Sequence, residues 1–174
     1  MLILMTGLPG TGKSTLAQKL AQILEADVLD RDEIRNHIFP ARDVDYSDQQ
    51  NEFASRVSYW VAEYILQRNP NRMLILDGRP FSKRSQIAAV EDLAQQVSHS
   101  LKIIYCWAPD QVVRQRLEKD LSETGNIAAD RTMAKYLRIK NTFEDILADH
   151  LQVDTSQLMP VVLQKVLEYL GLPS

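Results

Sequence analysis

Residues 7–15 read GLPGTGKST and directly follow the apolar run 1–5, MLILM. The stretch fits the pattern G-x-x-x-x-G-K-S of the P-loop and has the expected flanks, a short buried strand before it and a helical pattern after it. Its glycines let the backbone turn so that successive N–H groups point inward at phosphate oxygens. The alternative is a glycine-rich turn without a ligand, which the complete motif and its flanks disfavour. The stretch therefore predicts a nucleoside triphosphate site.

The chemistry of phosphate binding assigns roles within this stretch. Lys13 supplies a positive charge that can reach the β- and γ-phosphates, and the Ser14 hydroxyl can ligate Mg²⁺. The helix that follows presents its positive N-terminal end to the same anion. The predicted ATP-binding residues are Gly7, Leu8, Pro9, Gly10, Thr11, Gly12, Lys13, Ser14 and Thr15.

Length and composition indicate an ordinary globular protein. With 174 residues, 45% of them apolar and 25% charged, the chain fits a single domain, predicted over residues 1–174. No segment approaches the roughly 18 apolar residues of a membrane span, and no targeting segment is expected. The one cysteine excludes an internal disulfide framework, so we expect a cytoplasmic protein. A net charge of −3 gives no global attraction to nucleic acid or to an anionic membrane.

Apolar runs alternate with helical patterns along the whole chain. This order predicts an α/β fold with three layers, in which helices cover both faces of a five-stranded, parallel, doubly wound sheet. The predicted strands are residues 2–5, 27–29, 73–77, 101–107 and 151–154.

Several local features of the helices are predicted as well. Ser47 should cap a long helix over residues 48–68, and Ser82 should cap a later one. On the long helix, Trp60 and Tyr64 are expected to face the core. A helix is predicted over residues 132–147. We expect a polar loop before it, over residues 120–131.

Charged residues follow the second predicted strand in the sequence DRDEIR, residues 30–35. Ligands of doubly wound folds bind outside the carboxyl ends of the strands, so this stretch should meet the P-loop in one crevice. Phosphoryl transfer to a hydroxyl needs a carboxylate for the acceptor proton and a cation near the transferring group. Asp32 and Arg35 are spaced to share one face of a helical turn. A solvated ion pair is the alternative, and Asp30 competes with Asp32 as the base.

Asp77 ends the third predicted strand and is followed by Gly78. This position suits a Walker-B carboxylate, which holds Mg²⁺ directly or through water. The alternative is an aspartate that only caps the turn. Ser14 and Asp77 are therefore the predicted metal ligands.

Arginines that could close over the phosphates flank the polar loop. Arg114 and Arg116 precede it, and Arg131 lies at its far end. A lid arginine supplies its charge only in a closed site from which water is excluded. We predict a helical lid at about residues 117–135 with one of these three as its arginine.

Four sequences, GLPGTGKST, DRDEIR, LILDG and CWAPDQVVRQRLEKD, carry a resemblance over nearly the whole chain. The chain resembles P-loop kinases of the AAA_33 type and is similar to polynucleotide 5′-kinase domains, chloramphenicol phosphotransferase and seryl-tRNA kinase. The resemblance implies a P-loop kinase fold with ATP and Mg²⁺ as cofactors. It also implies catalytic roles for Asp32 as general base, Arg35 on the acceptor side and Arg116 as lid arginine, beside Lys13.

The acceptor is the open part of the prediction. The leading hypothesis is a kinase that phosphorylates a hydroxyl of a small molecule, because the chain has no evident stripe of Lys and Arg for a polymeric phosphate backbone. One alternative is a kinase for polynucleotide 5′-hydroxyls. Another is a nucleotide-binding ATPase switch, which DRDEIR disfavours and for which no glutamine is placed to orient water. Monomer and dimer are both compatible with the sequence.

Overall fold

A computed structural model describes residues 1–124 and 132–173. The five strands are β1 (Leu2–Thr6), β2 (Asp27–Asp30), β3 (Leu74–Asp77), β4 (Leu101–Trp107) and β5 (His150–Asp154). The α-helices of the described residues are α1 (Lys13–Leu24), α2 (Arg31–Ile38), α3 (Asp48–Arg68), α4 (Arg84–Gln96), α5 (Asp110–Thr124), α6 (Met133–Lys140) and α7 (Met159–Leu170). A single 3₁₀ turn, Ala41–Asp43, joins α2 to α3.

The strands form one parallel sheet in the order β2-β3-β1-β4-β5. This confirms the predicted doubly wound α/β fold. The central strand β1 is buried along its whole length, which explains its continuous apolar sequence. Because β2, β3 and β1 are neighbours, the segments that leave their carboxyl ends meet at one edge of the sheet.

Alternation along β1 divides the core into two layers. Leu2 and Leu4 pack with residues of α3 and α4 on one face. Ile3 and Met5 pack with residues of α1 and α7 on the other. A third, smaller cluster joins α5 and α6 to the P-loop through Leu8. Helices therefore cover both faces of the sheet, as predicted.

The face that α3 turns to the core differs from the prediction. Its buried residues are mostly small: Ala54, Ser55, Ser58, Ala62 and Leu66. By contrast, Trp60 is 61% exposed and Tyr64 is 60% exposed. The expectation that these two aromatic residues pack in the core was wrong, because small side chains let the helix approach its neighbours closely and leave the aromatic face outside.

Two further boundaries were wrong. Residues 120–124 belong to α5 and are not loop, whereas residues 125–131, where the rest of the predicted loop falls, lie outside the described residues. Helix α6 ends at Lys140, not at residue 147. Beyond it the Phe143 ring lies 5.5 Å from the Tyr105 ring of β4, and Glu144 accepts a hydrogen bond from the Arg84 amide at 2.8 Å. Glu144, and not Ser82, therefore satisfies the first amide of α4.

Among the described residues, no helix is both long enough and apolar enough to cross a membrane.

Candidate functional site

The P-loop joins β1 to α1 with three glycines in positive-φ conformations. Gly7, Gly10 and Gly12 have φ angles of 135°, 75° and 78°. A Cβ on Gly7 would lie 2.2 Å from the carbonyl oxygen of Cys106, so the loop is pressed against the backbone of β4. Only glycine combines this φ with such a close approach. The backbone that would surround a phosphate is thus fixed by contacts beneath it.

Lys13 begins α1 and is 9% exposed. Its ammonium group donates a hydrogen bond to the Leu8 carbonyl oxygen at 2.8 Å, and the Thr11 hydroxyl donates to the same oxygen at 2.7 Å. The lysine charge is therefore held at the P-loop itself. Ser14, the next residue, is half-buried in the first turn of α1.

Asp77 ends β3, and its side chain is a buried carboxylate. The residue is 3% exposed, and neither carboxylate oxygen has a partner among the described residues. An unpaired buried charge is costly, so such a group calls for a cation or its bound water. Oxygen ligands suit Mg²⁺, which usually keeps several waters and needs few protein ligands. No group of three or more His, Cys, Asp and Glu side chains that could hold a metal occurs in the described part of the chain. Ser14 and Asp77 thus fit a hydrated Mg²⁺.

Asp30 pairs in register with Asp77 across β2 and β3 and caps the helix that follows. Its Oδ1 accepts hydrogen bonds from the Asp32 amide at 2.7 Å and the Glu33 amide at 3.2 Å. Burial, and then the negative charges of Asp77 and Asp32, raise the pKa of Asp30 above its ordinary value. Gly78 lies against it, because a Cβ there would be 2.5 Å from the Asp30 Oδ1. Asp30 therefore has a structural role, since its side chain caps the N-terminus of α2.

Replacing Asp30 with Asn should raise the thermal midpoint of metal-free protein at pH 7. Asn caps a helix about as well as Asp and adds no charge beside Asp77. The pKa of Asp30 is raised in the folded state, so its protonated form stabilises the fold below the ordinary pKa. This contribution to the free energy of unfolding is lost as the pH rises through the folded-state pKa. We expect a gain of roughly 2 °C or more at pH 7 that disappears towards pH 4, measured by thermal unfolding in EDTA.

The matched control for this change is Asp92→Asn, at an exposed position of α4. It should leave the midpoint unchanged at both pH values. An Asp30→Asn protein that is equally destabilised at pH 7 and pH 4 would contradict the electrostatic explanation.

Asp32 lies two residues after Asp30 and is contacted by two arginines. Arg31 donates to its Oδ1 at 2.6 Å, and Arg35 donates to the same oxygen at 2.9 Å. The carboxylate side chain is 25% exposed, whereas Arg35 is 3% exposed. The i,i+3 pair of Asp32 and Arg35 that the spacing suggested is therefore present, with a second guanidinium on the same carboxylate.

Helix α3 and the segment just before it supply neutral partners to Arg35. The Asn51 side-chain oxygen accepts a hydrogen bond from Arg35 Nη1 at 2.7 Å. The guanidinium carbon of Arg35 lies 4.4 Å from the centre of the Tyr46 ring, at the N-terminal side of the same helix. Sequence reasoning singled out neither Asn51 nor a stacking role for Tyr46, since their partner comes from a different element.

Arg79 is a further arginine that α3 holds, at the turn after β3. Its Nη1 donates to the Ser55 hydroxyl at 2.9 Å and to Glu52 Oε2 at 3.2 Å. The Arg79 side chain is 13% exposed. The structure places Arg79 in a partly buried hydrogen-bond network beside the strand end.

Family comparison decides the membership of this chain. A model of the AAA_33 family, described as an AAA domain, matches residues 2–146. The chain belongs to the AAA_33 family.

Solved structures show the same fold as this AAA_33 protein. A protein of Chloroflexus aurantiacus J-10-fl, provisionally described as a kinase, is 24% identical with a TM-score of 0.75, and the match covers 98% of this chain and 95% of the other. The APS kinase of Mycobacterium tuberculosis, solved with AMPPNP and APS, is 20% identical with a TM-score of 0.72 and coverage of 98% and 96%. A gluconokinase of Sinorhizobium meliloti is 16% identical with a TM-score of 0.65 and coverage of 97% and 90%. The architecture of the AAA_33 protein is therefore that of P-loop kinases.

Arg116 of the AAA_33 protein lies on the other side of the P-loop from DRDEIR. Its guanidinium donates to the Thr155 hydroxyl at 3.0 Å and to the Thr155 carbonyl oxygen at 2.7 Å. Thr155 in turn donates to the Thr11 carbonyl oxygen at 2.7 Å. A Cβ on Gly12 would be 3.3 Å from Arg116 Nη1. Arg116 thus connects α5 to the P-loop and to the turn after β5, and its contact with transferring phosphates stays a prediction.

The other two lid candidates are Arg114 and Arg131. Arg114 is exposed on α5, and Arg131 lies outside the described residues. The predicted lid of residues 117–135 includes the end of α5 and the start of α6, which pack together through Leu117 and Tyr136.

Cys106 lies in β4 beneath the P-loop and is fully buried. Burial raises the pKa of its thiol to about 12. The residue is therefore a small buried side chain and not an activated nucleophile, as its apolar surroundings suggested.

Proposed function

We propose that this AAA_33 protein is a cytoplasmic, ATP- and Mg²⁺-dependent kinase that transfers the γ-phosphoryl group to a hydroxyl of a small molecule. The observation that supports it best is the placement of Asp32. Its carboxylate, held by two arginines, follows β2, while the P-loop follows β1 and the buried Asp77 ends the strand between them. A phosphate site and a carboxylate at the ends of neighbouring strands suit transfer to an alcohol.

In this proposal the residues divide the reaction between them. The P-loop amides and Lys13 bind the phosphates of ATP, and Ser14 with Asp77 would hold Mg²⁺, which neutralises charge on the phosphates when bound. The acceptor oxygen bonds to the γ-phosphorus as the bond to the β-phosphate oxygen breaks and ADP leaves. Asp32 accepts the hydroxyl proton.

Two arginines complete the proposed mechanism. Arg35 is buried and fixed by Asp32 and Asn51, so it can position an acceptor without ordering a flexible side chain. Arg116 stabilises the negative charge of the nucleotide phosphates from the α5 side. The named functions of the solved neighbours, which act on APS or as a gluconokinase, are consistent with a small-molecule acceptor.

A kinase screen tests this proposal. Purified protein with ATP and Mg²⁺ should release ADP with at least one compound among sugars, sugar acids, nucleosides and other alcohols, and the phosphorylated product should appear by mass spectrometry. Transfer should stop when EDTA replaces Mg²⁺. ADP release that is the same with and without every alcohol, and yields only inorganic phosphate, would instead support an ATPase switch.

A polynucleotide acceptor is distinguished by its salt dependence. A 5′-hydroxyl oligonucleotide would bind through several of its backbone phosphates. Its apparent affinity should therefore fall steeply between 50 and 200 mM salt. We expect no oligonucleotide to be preferred over a small acceptor. Efficient transfer to the oligonucleotide with a steep salt slope would overturn the small-molecule assignment.

A further inference from the structure

Helix α3 holds two arginines on successive turns of one face. Arg35 bonds to Asn51, and Arg79 bonds to Ser55, one turn further along. The two helix positions are themselves joined, because the Ser55 hydroxyl donates to the Asn51 carbonyl oxygen at 2.9 Å. Residues four apart on a helix have Cβ atoms about 5–6 Å apart, so the two guanidiniums are anchored side by side. One of them also bonds to Asp32, the proposed base.

Four arginines of this cluster share two carboxylates as ion-pair partners. Asp32 is shared by Arg31 and Arg35, and Glu52 is shared by Arg79 and, more loosely at 3.8 Å, by Arg56. Asp30 and Asp77 lie beside Asp32 and add negative charge of their own, so ion pairs alone do not give the cluster a net charge. The Nε of Arg35 is buried and has no hydrogen-bond partner among the described residues. A buried donor on a charged group that lacks an acceptor is costly and calls for an anion or water.

The two anchors of Arg79 are unequal. Its contact with Ser55 joins a half-buried arginine to a residue that is 1% exposed. Its contact with Glu52 reaches a side chain that is 48% exposed, against 13% for Arg79 itself. An exposed ion pair contributes little, so the Glu52 carboxylate can be exchanged for another anion at small cost. Ser55 would keep the guanidinium in place during this exchange.

We propose that the acceptor is an acidic molecule, with a carboxylate or phosphate group besides the hydroxyl that is phosphorylated, and that Arg79 together with Arg35 binds this anionic group. Glu52 occupies the position at Arg79 until the acceptor arrives. This inference rests on the proposed kinase activity for its substrate, but the anion site itself does not. Paired guanidiniums favour carboxylate and phosphate because their planar N–H donors match both anions.

The first experiment measures anion binding without turnover. Protein saturated with Mg²⁺ and AMPPNP, which occupies the P-loop, is titrated with inorganic phosphate and separately with acetate in a calorimeter. The wild type should bind phosphate at one site, and Arg79→Gln should weaken this binding by about 10- to 100-fold. Glu52→Gln should strengthen it, since the competing carboxylate is removed.

The control is Arg68→Gln, at the exposed far end of α3, where Arg68 stacks on Tyr64. It removes the same charge from the same helix and should leave phosphate binding unchanged. Circular dichroism establishes that each variant is folded. Because Glu52→Gln acts in the opposite direction, a loss of folding cannot imitate the expected pair of results. Phosphate binding that is absent, or equal in Arg79→Gln and the wild type, overturns the proposal.

The second experiment compares matched acceptors by ADP release. The pairs are an aldonic acid with its alditol, glycerate with glycerol, and a sugar phosphate with its sugar. The acidic member should be preferred, and Arg79→Gln should raise its KM by about 10- to 100-fold with little change in kcat. The carboxylate and phosphate pairs distinguish the two kinds of anion. Equal use of neutral and acidic members overturns the inference, whereas no transfer to any alcohol overturns the kinase proposal and leaves the phosphate titration to decide on the anion site.

Discussion

Replacing Asp32 with Asn is expected to lower kcat for phosphoryl transfer by about 10²–10⁴-fold. The amide oxygen can still accept hydrogen bonds from Arg31 and Arg35, which both bind one oxygen of Asp32. What the amide cannot do is take the proton of the attacking hydroxyl. The dissociation constant of ATP should change by less than about twofold, because Asp32 is not among the P-loop residues. Single-turnover transfer and equilibrium nucleotide binding measure the two effects separately.

Asp30→Asn is the informative comparison for Asp32→Asn. It makes the same carboxylate-to-amide replacement two residues earlier and keeps the helix cap, so transfer should persist. Glu33→Gln, on the exposed side of α2, serves as the control for charge removal. Should Asp30→Asn abolish transfer while Asp32→Asn retains it, the general base is Asp30.

Replacing Lys13 with Met should both weaken ATP binding and lower kcat, the latter by about 10²–10³-fold. Met has a similar length and apolar stem, so it fills the space beside the P-loop but removes the ammonium group that bonds to Leu8. The effect on kcat arises because the charge acts where negative charge shifts between the β- and γ-phosphates in the transition state. Stopped-flow binding of a fluorescent ATP analogue and steady-state transfer would report the two losses.

Lys19→Met provides the control in the same helix. Lys19 is exposed on α1, so this change should leave both nucleotide binding and kcat within about twofold of the wild type, as surface substitutions generally do. A Lys13→Met protein with unchanged kcat would contradict this role. The backbone amides alone would then stabilise the phosphate charge in the transition state, and Lys13 would serve only to hold the loop conformation.

The nucleotide side of the site could be read from the sequence because its determinants are local. The three glycines, Lys13 and Ser14 all lie in one short loop and the start of the helix after it, and a strand pattern before the loop and a helix pattern after it fix their positions. The parallel, doubly wound sheet also followed from the alternation of strands and helices, whereas the strand order came only from the structure. Asp77 ends β3 as the apolar run predicted, and its role as a metal ligand stays a prediction.

The acceptor side could not be read in the same way, because its partners come from separate elements. Asn51 and Ser55 are ordinary polar residues in the sequence, and only the packing of α3 turns them towards Arg35 and Arg79. The helix pattern itself was misleading, since Trp60 and Tyr64 have the periodicity of a core face but lie opposite the small residues that are buried. Periodicity predicts that a helix has an apolar face, but tertiary contacts decide which face is buried.

The single cysteine of this chain has a practical consequence. Cys106 is buried in the sheet, its thiol stays protonated at neutral pH, and its carbonyl oxygen touches the P-loop at Gly7. A thiol-specific reagent can therefore modify the protein only when the middle of the sheet opens. The rate of that modification therefore measures how often the native structure opens directly beneath the phosphate site, and no engineered label is needed.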